Sequence, residues 1–139
     1  MKKLTLTLIV CLLSLNVFSD TQTADKPVQH IVVENIASFA EAEKVFVEMT
    51  ADLKAKIVLD ESELHQIHMI TYSLEKSLAF YSESLDGEAQ KLAEDMAIVV
   101  EEIHLASENN RQESTKNSMR EYFRLAEDFI PSIELSKFK

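Results

Sequence analysis

The chain has 139 residues, with 24 acidic and 14 basic side chains and a formal net charge of −10. A negative field of this size opposes binding to nucleic acid or to an anionic membrane surface, whereas it permits cationic partners such as metal ions. The whole chain contains only one glycine and two prolines. Sheet proteins usually need more turn residues, so this composition favours long helices joined by few turns.

The first residues have the features of an export signal. Lys2 and Lys3 precede an apolar run from Leu4 to Phe18. At about 15 residues this run is shorter than the roughly 20 that a membrane-spanning helix needs. Residues 1–19 are therefore predicted to be a signal peptide that is cleaved after Ser19. Cleavage predicts a soluble periplasmic protein with no stable membrane insertion.

Two alternatives concern how this signal is processed. Cleavage after Ala24 would place Gln22 at the −3 position, which suits signal peptidases less well. Cys11 would be the lipidated residue of a lipoprotein, but the preceding Val10 is branched where a small residue is required. Since Cys11 is the one cysteine of the chain, the mature protein has no disulfide, no thiolate metal site and no CxxCH haem-attachment motif.

The remainder divides into a flexible leader, residues 20–35, and one helical domain, residues 36–139. Within the domain, four segments place apolar residues at alternating steps of three and four, which is typical of amphipathic helices. The predicted segments cover residues 36–58, 60–85, 89–106 and 112–130. The apolar stripe of the first segment includes Phe39 and Ile57, and that of the fourth includes Ile130.

The connections between these segments are short. Asp60 and Glu63 form a capping-box pattern that opens the second helix. Asp86-Gly87 is the strongest turn signal in the chain, Asn109-Asn110 marks the end of the third helix, and Pro131 is expected to end or kink the fourth. Short connections make neighbouring helices antiparallel. The predicted fold is all-α, an up-down-up-down antiparallel four-helix bundle; the alternative is three long helices with a loosely docked first or last helix.

Three histidines lie on the second and third predicted helices. His68 and His104 are at nearly equal sequence distance from the Asp86-Gly87 turn, so an antiparallel hairpin brings them level. His65 lies one helical turn before His68. Glu101 and Glu108 lie three residues before and four residues after His104, so both can share its face. These five residues are the candidate metal ligands.

Imidazoles and carboxylates in this combination suit zinc, copper or iron. A complete di-iron site needs Glu-x-x-His motifs from several helices, and this chain has one. The alternative is that His68 and His104 occupy the boundary of the apolar seam and only bond to neighbours such as Tyr72 or Ser107. Since no activated nucleophile with an oriented base is present, the protein is expected not to be an enzyme.

Two segments, from Ile67 to Glu75 and from Glu101 to Glu108, resemble the paired motifs of an uncharacterised family of short, signal-bearing helical proteins from gamma-proteobacteria. The resemblance covers about residues 36–128 and implies no function. It singles out six residues: His68, Tyr72, Glu75, His104, Ser107 and Glu108. His65 is outside its pattern.

The architecture also resembles cytochrome b562-type bundles, which hold haem between a methionine early in the first helix and a histidine late in the last. The fourth predicted helix has no histidine. Haem by that scheme is disfavoured, although a bis-histidine haem between His68 and His104 is an alternative. The first functional expectation is therefore a small periplasmic protein that binds a divalent transition metal, zinc or copper. The second is an interaction or stress-related accessory protein whose histidines are structural and whose protein partner is unknown.

Overall fold

The computed structural model describes residues 35–136. Its elements are four helices: α1 (Phe39–Lys54), α2 (Glu61–Ser84), α3 (Gly87–Glu108) and α4 (Gln112–Ser136). The predicted all-α four-helix bundle is confirmed. The predicted signal peptide, and the leader up to residue 34, lie outside the described residues. Within the described part, no helix has the length and apolar character needed to cross a membrane.

Side-chain caps define where α1 and α2 begin. The Ser38 hydroxyl accepts a hydrogen bond from the Glu41 amide at 3.2 Å, and the Asp60 carboxylate accepts one from the Glu63 amide at 2.9 Å. Each bond satisfies an amide that has no partner within its own helix. Only this half of the predicted capping box forms, because the Glu63 carboxylate lies 3.8 Å from Lys56 Nζ.

The two tight connections use backbone conformations in the left-handed region. Gly87, in the α2–α3 turn, has φ +61°, which a residue without a Cβ adopts at little cost. Asn110, between α3 and α4, has φ 53°. Its amide donates to the Ser107 carbonyl at 3.1 Å and the Arg111 amide donates to the Ala106 carbonyl at 2.8 Å. This is a Schellman motif, and it fixes the sharp reversal after α3.

Two predicted helix boundaries were wrong. The first helix is shorter than residues 36–58, and Ile57 lies in the connection after it with 86 % of its surface exposed. The fourth helix does not end at residue 130, since α4 continues through Pro131 to Ser136. Ile130 is half exposed, whereas Ile133 is buried. Burial of Ile133 against the core offsets the backbone hydrogen bond that proline cannot make.

The packing is antiparallel throughout. Each helix packs on the next one along the chain. The α1 and α2 helices are tied near one end by Ser77 Oγ, which donates to the Ala42 carbonyl at 2.9 Å. The bundle is closed between α1 and α4 by a hydrogen bond of 2.6 Å between the hydroxyls of Thr50 and Tyr122. The first helix is therefore part of the core, with Ala42, Phe46 and Leu53 buried.

Candidate metal centre

The two histidines at the centre of the prediction meet between α2 and α3. Their ring centroids are 4.5 Å apart, so the expectation that the short turn brings them level is confirmed. Their expected boundary position was wrong: His68 is 1 % exposed and His104 is 7 % exposed. Both imidazoles are therefore part of the bundle interior, together with the buried Thr71.

The hydrogen bonds around His104 define its tautomer. His104 Nδ1 lies 3.0 Å from Glu75 Oε1 and 3.1 Å from Thr71 Oγ1. The Thr71 hydroxyl donates its proton to the His68 carbonyl at 2.7 Å, so it presents a lone pair to the ring. Both neighbours of Nδ1 act as acceptors when Glu75 is ionised, and the neutral ring carries its proton there. In that tautomer Nε2 is the unprotonated nitrogen of the His104 ring.

His68 has one nitrogen with a partner and one without. Its Nε2 lies 3.2 Å from the hydroxyl of Tyr72, one helical turn further along α2. Its Nδ1 is buried and makes no hydrogen bond to any residue in the range 35–136. Leaving a buried polar atom unpaired costs about 1–3 kcal/mol. When Nε2–H donates to Tyr72, Nδ1 carries the lone pair of the neutral ring, and no hydrogen bond to it forms within residues 35–136.

Burial also keeps the His68 ring neutral. Loss of solvation lowers the pKa of His68 below its ordinary 6.5, and the neighbouring His104 lowers it further. The Glu108 carboxylate acts in the opposite direction. A neutral imidazole is the form that binds a metal ion. The environment thus favours the ligand state of this ring near neutral pH.

Glu108 completes a group of three ligand atoms. One atom each from His68, His104 and Glu108 lie within 4.8 Å of one another. Glu108 is the last residue of α3 and is half-buried. The carbonyl end of a helix carries partial negative charge, which favours a cation at this position.

Glu101 lies on the other side of His104. It forms a second group with Glu75 and His104, again with one atom from each within 4.8 Å, and it is exposed. Burial raises the pKa of Glu75 above its ordinary 4.5, an effect that His104 opposes. The two predicted carboxylates therefore belong to different groups. Glu108 lies near both imidazole rings, whereas Glu101 lies near His104 and Glu75.

A cavity of about 170 Å³ opens beside His65 and His68. Its lining is mostly polar and comprises Glu61, His65, His68, Ser107, Glu108 and Asn110. His65 is exposed, and its ring lies nearly parallel to that of His68 with centroids 6.3 Å apart. His65 and Ser107, on opposite helices, line the same cavity. His65 thus borders the solvent side of the site without joining the group of three.

Some of the contacts expected under the alternative, in which the histidines only hydrogen-bond to neighbouring residues, are present. The His68–Tyr72 contact forms, but the Ser107 hydroxyl donates to the carbonyls of Ile103 at 2.7 Å and His104 at 3.0 Å and not to an imidazole ring. Haem between the histidines does not fit this arrangement, because the two rings are in direct edge contact and leave no space for a porphyrin.

Sequence reasoning missed Thr71 as a site residue, because its place in the regular apolar stripe marked it as core. The available signal was its spacing, since a hydroxyl three residues after a histidine on a helix lies next to that residue's carbonyl. Glu75 was indicated only by the family resemblance, whereas Tyr72 was also expected as a hydrogen-bonding neighbour of the histidines. Their position one and two turns beyond His68 is what brings them to the two rings.

Comparison with known proteins identifies a family and nothing beyond it. The model of DUF6746, described as a family of unknown function, matches residues 1–131. No curated protein matches the chain, and no solved structure does.

Proposed function

We propose a function for this chain, which belongs to the DUF6746 family of unknown function, from the chemistry of its own site. The protein binds one divalent transition metal ion between α2 and α3, through His68 Nδ1, His104 Nε2 and a Glu108 oxygen. The observation that carries this proposal is the buried, neutral His68 whose Nδ1 has no hydrogen-bond partner among the described residues. A metal ion would remove the cost of that unpaired atom.

The surroundings of the ligands support this assignment. Metal-binding histidines usually donate their second nitrogen to a carboxylate, a carbonyl or another acceptor, which fixes the tautomer and the ring orientation. Glu75 and Thr71 hold His104 in this way, and Tyr72 is placed to hold His68. The support for a metal site is therefore the way in which both rings are oriented, in addition to the presence of two histidines.

The ligand set favours zinc or copper. Two imidazole nitrogens and a carboxylate oxygen suit both ions, and copper generally binds such sites more tightly. Ligand atoms around a tetrahedral zinc ion lie about 3.3 Å apart. Atoms within 4.8 Å of one another would reach that geometry by small side-chain rotations. The fourth position faces the cavity, where water or a rotated His65 would complete the shell.

We also propose that the protein is exported and acts in the periplasm without catalysing a reaction. The support is the Lys2-Lys3 charge ahead of a short apolar run and the absence of a nucleophile with an oriented base beside the described site. We propose further that the chain comes from a gamma-proteobacterium and that its two segments, residues 67–75 and 101–108, are the paired motifs of its family. Mass spectrometry of the native protein would test export: a chain beginning near Asp20 is expected, and an intact Met1 or a lipid on Cys11 would contradict it.

A second candidate function is an interaction or stress-related accessory protein in which the same residues only hold α2 and α3 together. The observations that favour it are the two hydrogen bonds that Glu75 and Tyr72 already make with the rings. The two candidates differ in one measurable respect. A structural site gains nothing from a metal ion, whereas a binding site is stabilised by an amount that grows with the logarithm of the free metal concentration above its dissociation constant.

The test is thermal melting of the mature protein with zinc, with copper and with chelator. Wild type should melt at a higher temperature with metal, and His68→Ala or His104→Ala should remove the shift. Glu75→Gln keeps all three ligands and alters only the orientation of His104, so it should weaken metal affinity by about 10- to 100-fold.

The matched control is His65→Ala, because His65 is an exposed histidine beside the same cavity and outside the group of three. This variant should retain most of the metal response. An equal response in wild type and in all variants would assign the binding to the acidic surface. No response in wild type would favour the accessory-protein alternative.

A further inference from the structure

A second cavity, separate from the histidines, lies where the α1–α2 connection meets the beginning of α4. Its volume is about 300 Å³, at the small end of the range of ligand cavities. The floor is apolar and consists of Leu59, Met119 and Phe123, which are buried or half-buried. The proposed metal centre uses none of these residues.

The rim of this cavity is basic in a strongly acidic protein. Lys56, Lys116 and Arg120 line it against one carboxylate, that of Glu113. Lys56 is the rim cation that pairs with a carboxylate: its Nζ lies 3.8 Å from the Glu63 carboxylate and also donates to Gln66 Oε1 at 2.5 Å. The local excess of positive charge is opposite in sign to the net charge of −10.

The two basic residues of α4 that line this cavity form no ion pair with a carboxylate in the described part of the chain. Lys116 and Arg120 are one helical turn apart, and neither makes an ion pair within residues 35–136. Arg120 donates to the neutral Asn117 side chain. Like charges at this spacing on a helix repel each other weakly. An anion between them would relieve this repulsion.

The wall on the other side of the cavity contains an apolar residue that the fold does not bury. Ile57 lines the cavity with 86 % of its surface in solvent. Its apolar spacing predicted a place in the stripe of the first helix, but α1 ends at Lys54 and leaves Ile57 in the connection. An apolar ligand in the cavity would cover this side chain and recover part of its burial free energy.

The geometry points to a binding site for a small amphiphilic organic anion, with its carboxylate or phosphate between Lys116 and Arg120 and its apolar body on Met119, Phe123 and Ile57. Charge complementarity defines the head group and the apolar floor defines the tail. A free fatty acid and a phosphate monoester of an alkyl chain share this chemistry, so both are included in the test.

The experiment is isothermal titration of the mature protein with decanoate, octyl phosphate and decanol, all in the presence of chelator so that the histidine site does not contribute. Decanoate or octyl phosphate should bind, and decanol, which lacks the charge, should bind more weakly. Lys116→Gln and Arg120→Gln should each weaken decanoate binding by about two- to five-fold, the range expected for an exposed ion pair. Ile57→Thr should weaken all three ligands.

The matched control is Lys44→Gln, which removes an exposed cation on α1 that does not line the cavity. It should leave decanoate affinity unchanged. Equal binding of decanoate and decanol would overturn the proposed role of the cations. An equal loss in Lys44→Gln and Lys116→Gln would attribute the effect to overall charge, and no binding of either anion would overturn the proposal.

Discussion

The two ends of the bundle differ in the kind of side chain that fills the interior. Near the α2–α3 turn, the rings of five aromatic residues meet edge to face or tilted, at centroid separations of 5.2–6.3 Å: Phe39, Phe46, Phe80, Tyr81 and Phe129. Toward the opposite end, the region between α2 and α3 contains the two imidazoles, the Thr71 hydroxyl and the half-buried carboxylates of Glu75 and Glu108.

The difference shows where stability is obtained and where it is given up. Aromatic packing removes large apolar areas from water, and the Tyr81 hydroxyl is the one polar side-chain group among these five residues. The histidine end buries polar atoms and leaves His68 Nδ1 without a hydrogen bond. Sites that cost stability in the unliganded protein are often the ones that bind a ligand. This contrast can be tested from both sides.

The largest effect is expected at the aromatic end. Phe129 is fully buried and contacts the rings of both Phe46 and Tyr81. Phe129→Ala should lower the free energy of unfolding by about 3–5 kcal/mol, because it removes the transfer free energy of the ring and leaves a cavity. Urea unfolding followed by circular dichroism measures this loss. A loss below about 1 kcal/mol would mean that the aromatic cluster is not the main source of stability.

A much smaller effect is expected at the histidine end. His68→Leu keeps a buried side chain of similar volume and removes the unpaired Nδ1, and the half-buried Tyr72 hydroxyl can turn to solvent. In chelator, its free energy of unfolding should be within about 1 kcal/mol of wild type. The same variant should lose the metal-dependent rise in melting temperature. A destabilisation as large as that of Phe129→Ala would show that His68 is a structural core residue and that the two ends contribute to stability in the same way.

The smallest effect is a pH dependence that belongs to the histidine end. Because the pKa of His68 is lowered in the folded protein, the unfolded chain binds more protons just below pH 6.5. Stability should therefore rise with pH through this window and fall as pH drops through it. The raised pKa of Glu75 acts in the opposite direction above 4.5, since the folded protein keeps that proton longer.

Unfolding in chelator at several values from about pH 5 to 8 would separate the two groups. His68→Leu should lose the rise with pH, and Glu75→Gln should lose the opposing fall. Phe129→Ala should be less stable by a constant amount and keep the wild-type slope. A His68→Leu slope equal to that of wild type would show that the ring does not titrate differently in the folded state.

Much of the architecture follows from the sequence alone. Apolar spacing, the Asp86-Gly87 turn and the Asn109-Asn110 ending predicted four antiparallel helices and the level positions of His68 and His104. These features are local, because helix periodicity and turn conformation depend on neighbouring residues. Helix ends were less predictable. Whether Ile57 joins α1, and whether α4 continues past Pro131, depends on what the rest of the fold can bury.

The sequence by itself determined which residue types face each other across the α2–α3 hairpin, because a short turn fixes the register of two helices. The burial and the orientation of these side chains depend on tertiary packing. Thr71 has the spacing of a core residue, yet it accepts from His104 and so, with Glu75, sets the tautomer of that ring. Burial of His68 to 1 % exposure results from the packing of α2 on α3, which depends on all the side chains between them. Hydrogen bonding and solvation are properties of that shared space, and no single segment of the chain contains them.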